Sequence, residues 1–241
     1  MNKEFLIQSL LSKANAKSYL EIGIENGHCF FSIDAKVKVG IDPVIRKNVR
    51  QRNLKNIFKN LFSKKTEKLY QETSDSFFEN KVEGMTFDLI FIDGLHTYKQ
   101  SLKDVLNSLQ CLNDGGIIVL HDCNPTSESM GHPAESYEDL LTKNISSTDE
   151  WCGDVWKTIV HLRSMRDDLN VVVMDCDYGV GIIRKCSPDS MLSYNHNELN
   201  SLTYSDLASY RKELLNLKEI EYFETYLSLL KQSQQNRLLK K

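Results

Sequence analysis

At 241 residues, with 41% hydrophobic and 26% charged side chains, the chain suits one α/β core plus a short appendage and is too apolar for disorder. A formal net charge of −3 gives no global drive toward nucleic acid or an anionic membrane, so neither is an expected partner. The six cysteines (Cys29, Cys111, Cys123, Cys152, Cys176 and Cys186) form no C-x-x-C pair, which argues against a zinc ribbon or a thioredoxin motif and predicts reduced thiols in a cytoplasmic protein.

The first residues, MNKEFLIQSLLSKANAK, read as an amphipathic helix with Phe5, Leu6, Ile7, Leu10 and Leu11 inward rather than as a signal peptide. No run of 18 apolar residues predicts a transmembrane span. Strands follow at Ser18–Ile24, Lys36–Asp42, more weakly Lys68–Gln71, then Phe87–Asp93 and Gly116–His121. Helical patterns fill Cys29–Ile33, Lys47–Phe62, Tyr98–Leu112 and Asp154–Arg166. This alternation predicts right-handed crossovers and a Rossmann-like, doubly wound, mostly parallel sheet. Asn170–Asp175 and Gly179–Arg184 are too close for a helix between them and should form an antiparallel hairpin. Beyond it, Leu202–Leu239 is helical and charged, with Leu207, Leu214, Leu217, Ile220, Phe223, Leu227 and Leu230 on one face. The predicted division is a Rossmann-like domain over 1–190 and a C-terminal helical extension over 191–241, a candidate surface for homo-oligomers. Basic runs at Arg46–Lys68 and at Arg237, Lys240 and Lys241 read as solvated faces.

The segment Glu21-Ile-Gly23-Ile-Glu-Asn-Gly27 puts two glycines at the carboxyl end of the first strand, where doubly wound sheets bind ligands. Glu25 stands where a dinucleotide fingerprint needs its middle glycine, and it would be a poor neighbour for a pyrophosphate. Asp42 ends the second strand where a carboxylate can accept from both hydroxyls of a ribose. Further on, Asp93 and Asp122 each end adjacent predicted strands, with His96 three residues after Asp93 and His121 beside Asp122. An imidazole there could remove a proton from an attacking hydroxyl. The long connection 123–152 reads as a substrate lid. Trp156 reads as a core anchor, while Trp151 and Asp154 are candidates for lining an acceptor pocket.

The segment Glu21, Gly23, Gly27 resembles motif I of the S-adenosylmethionine-dependent methyltransferases, which commonly have glycine where this chain has Glu25. The terminal hairpin also resembles that class more than the nucleotide-binding dehydrogenases. FDLIFIDGLHTY and LNDGGIIVLHDCNP are similar to a small-molecule and sugar O-methyltransferase group that includes macrocin O-methyltransferase and cephalosporin-hydroxylase-like proteins, over about residues 18–185. The resemblance implies S-adenosylmethionine held by Glu21, Gly23, Gly27, Asp42 and Asp93, with Ser74 and Asp75 near the adenine. It further implies a divalent metal such as Mg²⁺ on Asp93 and Asp122, His96 as base, and a sugar or other small-molecule acceptor. His121 departs from the group, which often carries a carboxylate at that position. An NAD(P)-dependent dehydrogenase or epimerase and a non-catalytic S-adenosylmethionine-binding protein are the alternatives. A nucleic-acid methyltransferase would show an Asn/Asp-Pro-Pro-aromatic motif, which Asp93-Gly-Leu-His96 is not.

Overall fold

A computed structural model of the chain describes residues 1–60, 64–142 and 150–238. The sequence-predicted helix end at Phe62, part of the 123–152 connection, Leu239, Lys240 and Lys241 lie outside the described residues. In chain order the elements are α1 (Lys3–Ala14), β1 (Ser18–Ile22), α2 (His28–Ser32), β2 (Val37–Ile41), α3 (Lys47–Asn60), β3 (Thr66–Tyr70), α4 (Ser74–Asn80) and β4 (Phe87–Ile92). Then come α5 (Tyr98–Gln110), β5 (Leu112–Leu120), α6 (Tyr137–Thr142), α7 (Trp156–Met165), β6 (Leu169–Met174), β7 (Val180–Lys185), α8 (His196–Ser201), α9 (Tyr204–Leu215), β8 (Leu217–Lys218) and α10 (Tyr222–Leu238).

The strand order is β3-β2-β1-β4-β5-β7-β6-β8. Parallel pairing joins β1 to β2 and β4, β2 to β3, and β6 to β8, while β6 and β7 pair antiparallel from Leu169↔Lys185 to Met174↔Val180. This is the Rossmann-like α/β sheet with the antiparallel hairpin that the sequence predicts. The order reverses between β1 and β4, the switch point outside which such sheets take their ligands.

The chain divides into two compact units. The first comprises residues 1–94, 104–118 and those from Glu224 on. Its core sets Leu6, Ile7, Leu10 and Leu11 of α1 with Leu20, Ile22, Val39, Ile41 and the run Leu89–Ile92, all buried. Phe5, expected inward, is 57% exposed. Leu6, Ile7, Leu10 and Leu11 already define one helical stripe, and a residue one position before it turns about 100° away. The short α2 is held from below by Lys38, whose buried Nζ donates to the Phe30 and Ile33 carbonyl oxygens at 2.9 and 3.1 Å and pairs with Glu67 at 3.0 Å. One side chain thus satisfies two orphan carbonyls at the end of a helix too short to satisfy them itself.

The second unit comprises residues 95–103 and 119–223. Trp156, Ile159, Val160 and Leu162 of α7 are buried in the same core as Val171–Met174 of β6 and Leu207, Leu214 and Leu215 of α9. The predicted core role of Trp156 therefore holds. Arg163 donates to the Glu213 carbonyl and, at 3.0 Å, to that of Leu214, and so caps α9. The C-terminal segment read as one helical face is broken instead. Asn216 adopts a left-handed φ of 48°, Leu217–Lys218 add a parallel edge to β6, and Ile220 in the following turn is 40% exposed. Asn216 Nδ2 donates to the Val171 carbonyl at 3.1 Å, a tertiary contact that outweighs helix continuation. No disulfide links the described cysteines. No helix among the described residues is long and apolar enough to cross a membrane.

Candidate cofactor turn and histidine–aspartate cluster

In the first unit the chain leaves β1 through Gly23, at φ 86°, and a Cβ there would overlap the carbonyl oxygen of Asp93. Close approach of two strand exits therefore requires this glycine. Gly27, at φ 76°, opens α2, and Glu25 between them is a non-glycine residue at φ 48°. The turn's amides are almost all spent inside the protein. Gly23 N donates to Ile41 O at 2.9 Å and Gly27 N to Ile24 O at 2.7 Å. Ile24 N and Glu25 N both donate to Asp42 Oδ2, at 3.0 and 2.8 Å, while Asp42 Oδ1 accepts from Val44 N at 2.7 Å. His28 N is taken by Asn26 Oδ1 at 2.9 Å. A phosphate-binding turn works by aiming such donors at its ligand. Here Asp42 gathers them, and among the described residues the exposed Glu25 carboxylate pairs with Arg46, at 3.4 Å.

Glu21 is 1% exposed and accepts from Tyr19 Oη at 2.5 Å. Burial pushes its carboxyl up to about 8, against the opposing pull of the Tyr19 hydroxyl and with a further push from Asp93. Asp93, just past β4, pairs with Lys3 Nζ at 2.7 Å. Ser74 and Asp75 lie half-buried in the first turn of α4, which Thr73 caps by accepting from Ser76 N at 3.2 Å. The structure thus gathers Glu21, Gly23, Gly27, Asp42 and Asp93 at the exits of β1, β2 and β4, with Ser74 and Asp75 four and five residues past β3.

The second unit carries the other sequence-predicted residues. Asp122 leaves β5 in a left-handed conformation, φ 59°, and is 5% exposed. Its Oδ2 lies 3.2 Å from His96 Nε2 and 3.1 Å from His121 Nδ1. His121 Nε2 in turn faces Asp177 Oδ1 at 3.9 Å. His96 Nδ1 meets the Trp151 carbonyl oxygen at 2.5 Å. A carbonyl only accepts, so Nδ1 carries the proton. In a neutral His96 the Nε2 lone pair then points at a carboxylate. That arrangement is satisfied by a cation between the two groups or by a proton shared between them. Histidines that bind metal show the same fixing of one nitrogen by a backbone carbonyl. The donor set of Asp122 and His96 Nε2 therefore fits a divalent cation.

Backbone strain concentrates around this cluster. Asp177 and Tyr178, at φ 47° and 58°, and Gly179, at φ 89°, form the tip of the β6–β7 hairpin. That tip is pinned to the β5 exit, where Cys123 N donates to Gly179 O at 3.0 Å and Asn124 N to Tyr178 O at 2.7 Å. Arg211 donates to the Asn124 side chain and to Pro125 O, the latter at 2.7 Å. Gly153, at φ 58°, brings its backbone against the His96 carbonyl, where a Cβ would overlap it. Asp154 Oδ1 accepts from Tyr98 N at 2.6 Å, and Trp151 is buried with its indole N–H donating to His132 O at 2.8 Å. Burial and the Asp122 carboxylate push the Cys152 thiol up. Sequence reading missed Lys3, Asp177 and the Trp151 carbonyl. Each is 55 residues or more along the chain from its partner, and none has a spacing that signals the contact.

Residues 20–123 match the profile of a family described as a methyltransferase domain. That span begins in β1 and ends just past Asp122, so it contains the glycine turn, Asp42, Asp93, His96 and Asp122. No curated protein matches the chain in sequence. Among solved structures the fold is shared with a proposed O-methyltransferase from Klebsiella pneumoniae, at 16% identity and a TM-score of 0.53, over 76% of this chain and 79% of that one. It is shared too with an S-adenosylhomocysteine-bound methyltransferase from Podospora anserina, at 18% identity and a TM-score of 0.52, over 73% and 76%. A proposed caffeoyl-CoA O-methyltransferase from Staphylococcus aureus aligns at 18% identity and a TM-score of 0.50, over 76% and 82%.

Proposed function

We propose that the chain is an S-adenosylmethionine-dependent methyltransferase acting on an oxygen of a small molecule or sugar. The observation that carries this reading is the spent donor set of the first turn. With the amides of Gly23, Ile24, Glu25 and Gly27 committed internally and Glu25 projecting outward, the turn suits a phosphate-free, cationic ligand and repels a pyrophosphate. The methyltransferase-domain match over the same segment supports it, and the dinucleotide alternative loses its main attraction. In this reading Glu21, Gly23, Gly27 and Asp42 bound the donor site. Asp42 keeps one lone pair on Oδ1 for ribose hydroxyls beyond the amide it holds. Ser74 and Asp75 stand toward the adenine, and Asp93 faces the donor from the end of β4.

His96 works through Nε2, because Nδ1 is fixed on the Trp151 carbonyl. Nε2 then accepts the acceptor's hydroxyl proton, and Asp122 stabilises the imidazolium, held in place by His121. His121 is a positioning residue here. Alternatively, a divalent cation on Asp122 and His96 Nε2 would, when bound, hold the hydroxyl and lower its pKa, and Nε2 would then not serve as the base. Alignment of donor and acceptor supplies much of the remaining rate enhancement in such transfers. The test is calorimetric titration of the chain with S-adenosylhomocysteine and, separately, with NAD⁺, each with and without Mg²⁺. Binding of the first alone supports the reading. Binding of NAD⁺ alone, or of neither, removes it.

A further inference from the structure

Charge is unevenly placed along this chain. The stretch from Arg46 to Lys68 holds nine of the 30 Lys and Arg residues and one of the 33 Asp and Glu residues, so the negative net charge resides elsewhere. That one acid, Glu67, is turned inward, where Lys38 pairs with it at 3.0 Å and Asn56 Nδ2 donates to it at 3.3 Å. Within the stretch lies α3, and Val49, 1% exposed, fixes the inner side of that helix. At about 100° per residue, Lys47, Arg50, Gln51, Leu54, Lys55 and Ile57 share the opposite side, an arc of roughly 160°. All six are exposed, and none is acidic. Among the described residues none of Lys47, Arg50 and Lys55 has an acidic partner. Leu54, 57% exposed, lies near the centre of that arc, with Ile57 beside it at 39%.

We propose that this face of α3 docks reversibly on an anionic phospholipid surface. Leu54 and Ile57 enter the headgroup boundary, and Lys47, Arg50 and Lys55 meet lipid phosphates around them. A leucine held in water and flanked by cations suits a helix lying in a membrane interface. There the apolar side chains leave water, and the long basic side chains keep their charges among the headgroups. A nucleic acid would take the cations on its phosphates and leave both aliphatic side chains in water. The acidic remainder of the chain does not prevent docking. At physiological ionic strength the screening length is about 8 Å, so a membrane touching α3 meets these cations and little else. Arg46, one residue before α3, pairs with Glu25 at 3.4 Å, so docking brings the turn after β1 close to the lipid. This role belongs to the first unit and does not depend on methyl transfer.

Full-length chain would be sedimented with vesicles of phosphatidylcholine alone and of a phosphatidylcholine–phosphatidylglycerol mixture, with melting temperature read for every variant. Binding is expected to the mixed vesicles only, and it should fall as salt rises. The double variant Lys47→Gln, Lys55→Gln should lower partitioning about 25-fold, at roughly fivefold for each basic residue lost near an anionic surface. Leu54→Gln should lower it about fivefold. The charge-preserving Lys47→Arg, Lys55→Arg and the distant Lys212→Gln should bind as the wild type does. No binding to the mixed vesicles, equal binding to the neutral ones, or full binding by Leu54→Gln overturns the proposal. Binding to duplex DNA without binding to vesicles would make α3 a nucleic-acid face and overturn it too. If Leu54→Gln does not fold, Ile57→Gln makes the same comparison.

Discussion

The turn after β1 and the cluster around Asp122 both sit at strand exits, but they are held by different means. The turn is held by main-chain donors. Asp42 accepts three backbone amides, and glycines at positions 23 and 27 make the close approach sterically feasible. The Asp122 cluster is held by side chains, two imidazoles and a neighbouring thiol, on a backbone strained at non-glycine residues 122, 177 and 178. A site fixed by main chain tolerates side-chain change and fails when the backbone is altered. A site fixed by side chains does the reverse, and left-handed non-glycine residues store strain of order 1–3 kcal/mol each that surrounding contacts must hold down.

The sharpest break in that contrast is Gly23→Ala. A Cβ overlapping the Asp93 carbonyl at φ 86° should destabilise by about 3 kcal/mol or more and abolish S-adenosylhomocysteine binding, as calorimetry and thermal melting would show. Next is the pH dependence carried by Glu21. Below pH 4.5 its carboxyl is neutral in folded and unfolded chains alike. Between there and about 8 the unfolded chain releases a proton that the folded chain keeps, so stability falls as pH rises. Glu21→Gln keeps an acceptor for Tyr19 and should flatten the fall of melting temperature between about pH 5 and 8, a difference on the order of 2–4 kcal/mol. An unchanged slope would mean that Glu21 is not held neutral.

On the side-chain-held half, Gly179→Ala would drive a Cβ into Asn124 at φ 89° and should cost about 2 kcal/mol, while leaving S-adenosylhomocysteine binding intact. Loss of that binding would show that the hairpin tip serves the donor site as well. The smallest stability effect is expected for Asp42→Asn. It should lose about 1–2 kcal/mol through the Val44 bond or one of the two amides on Oδ2, and weaken S-adenosylhomocysteine more than the stability loss alone explains. Equal donor affinity with lower stability would make Asp42 purely a brace for the turn.

Much of the fold was legible because its signals are local. The apolar runs ending at Ile22, Ile41 and Ile92 are long enough only for strands, and the three residues between the expected strands Asn170–Asp175 and Gly179–Arg184 admit only a hairpin turn. Where the reading failed, a distant contact decided. The strand expected from Gly116 begins at Leu112 instead, and within it Asn113 donates to Asp88 Oδ1 at 2.7 Å. Phe5 was given to the core by hydrophobicity when its angular position on α1 turns it out.

What the sequence determined by itself is the order of the first seven strands, the glycines at the first strand exit and the carboxylates and imidazoles at the later ones. These follow from periodicity and from residue type, which act over a few positions. Only the tertiary structure decided that Asp42 consumes the turn's amides, that Trp151 fixes the proton on His96, and that Lys3 neutralises Asp93. Those are contacts across 17 to 90 residues. Their energy depends on ångström-scale placement of polar atoms that no local pattern encodes.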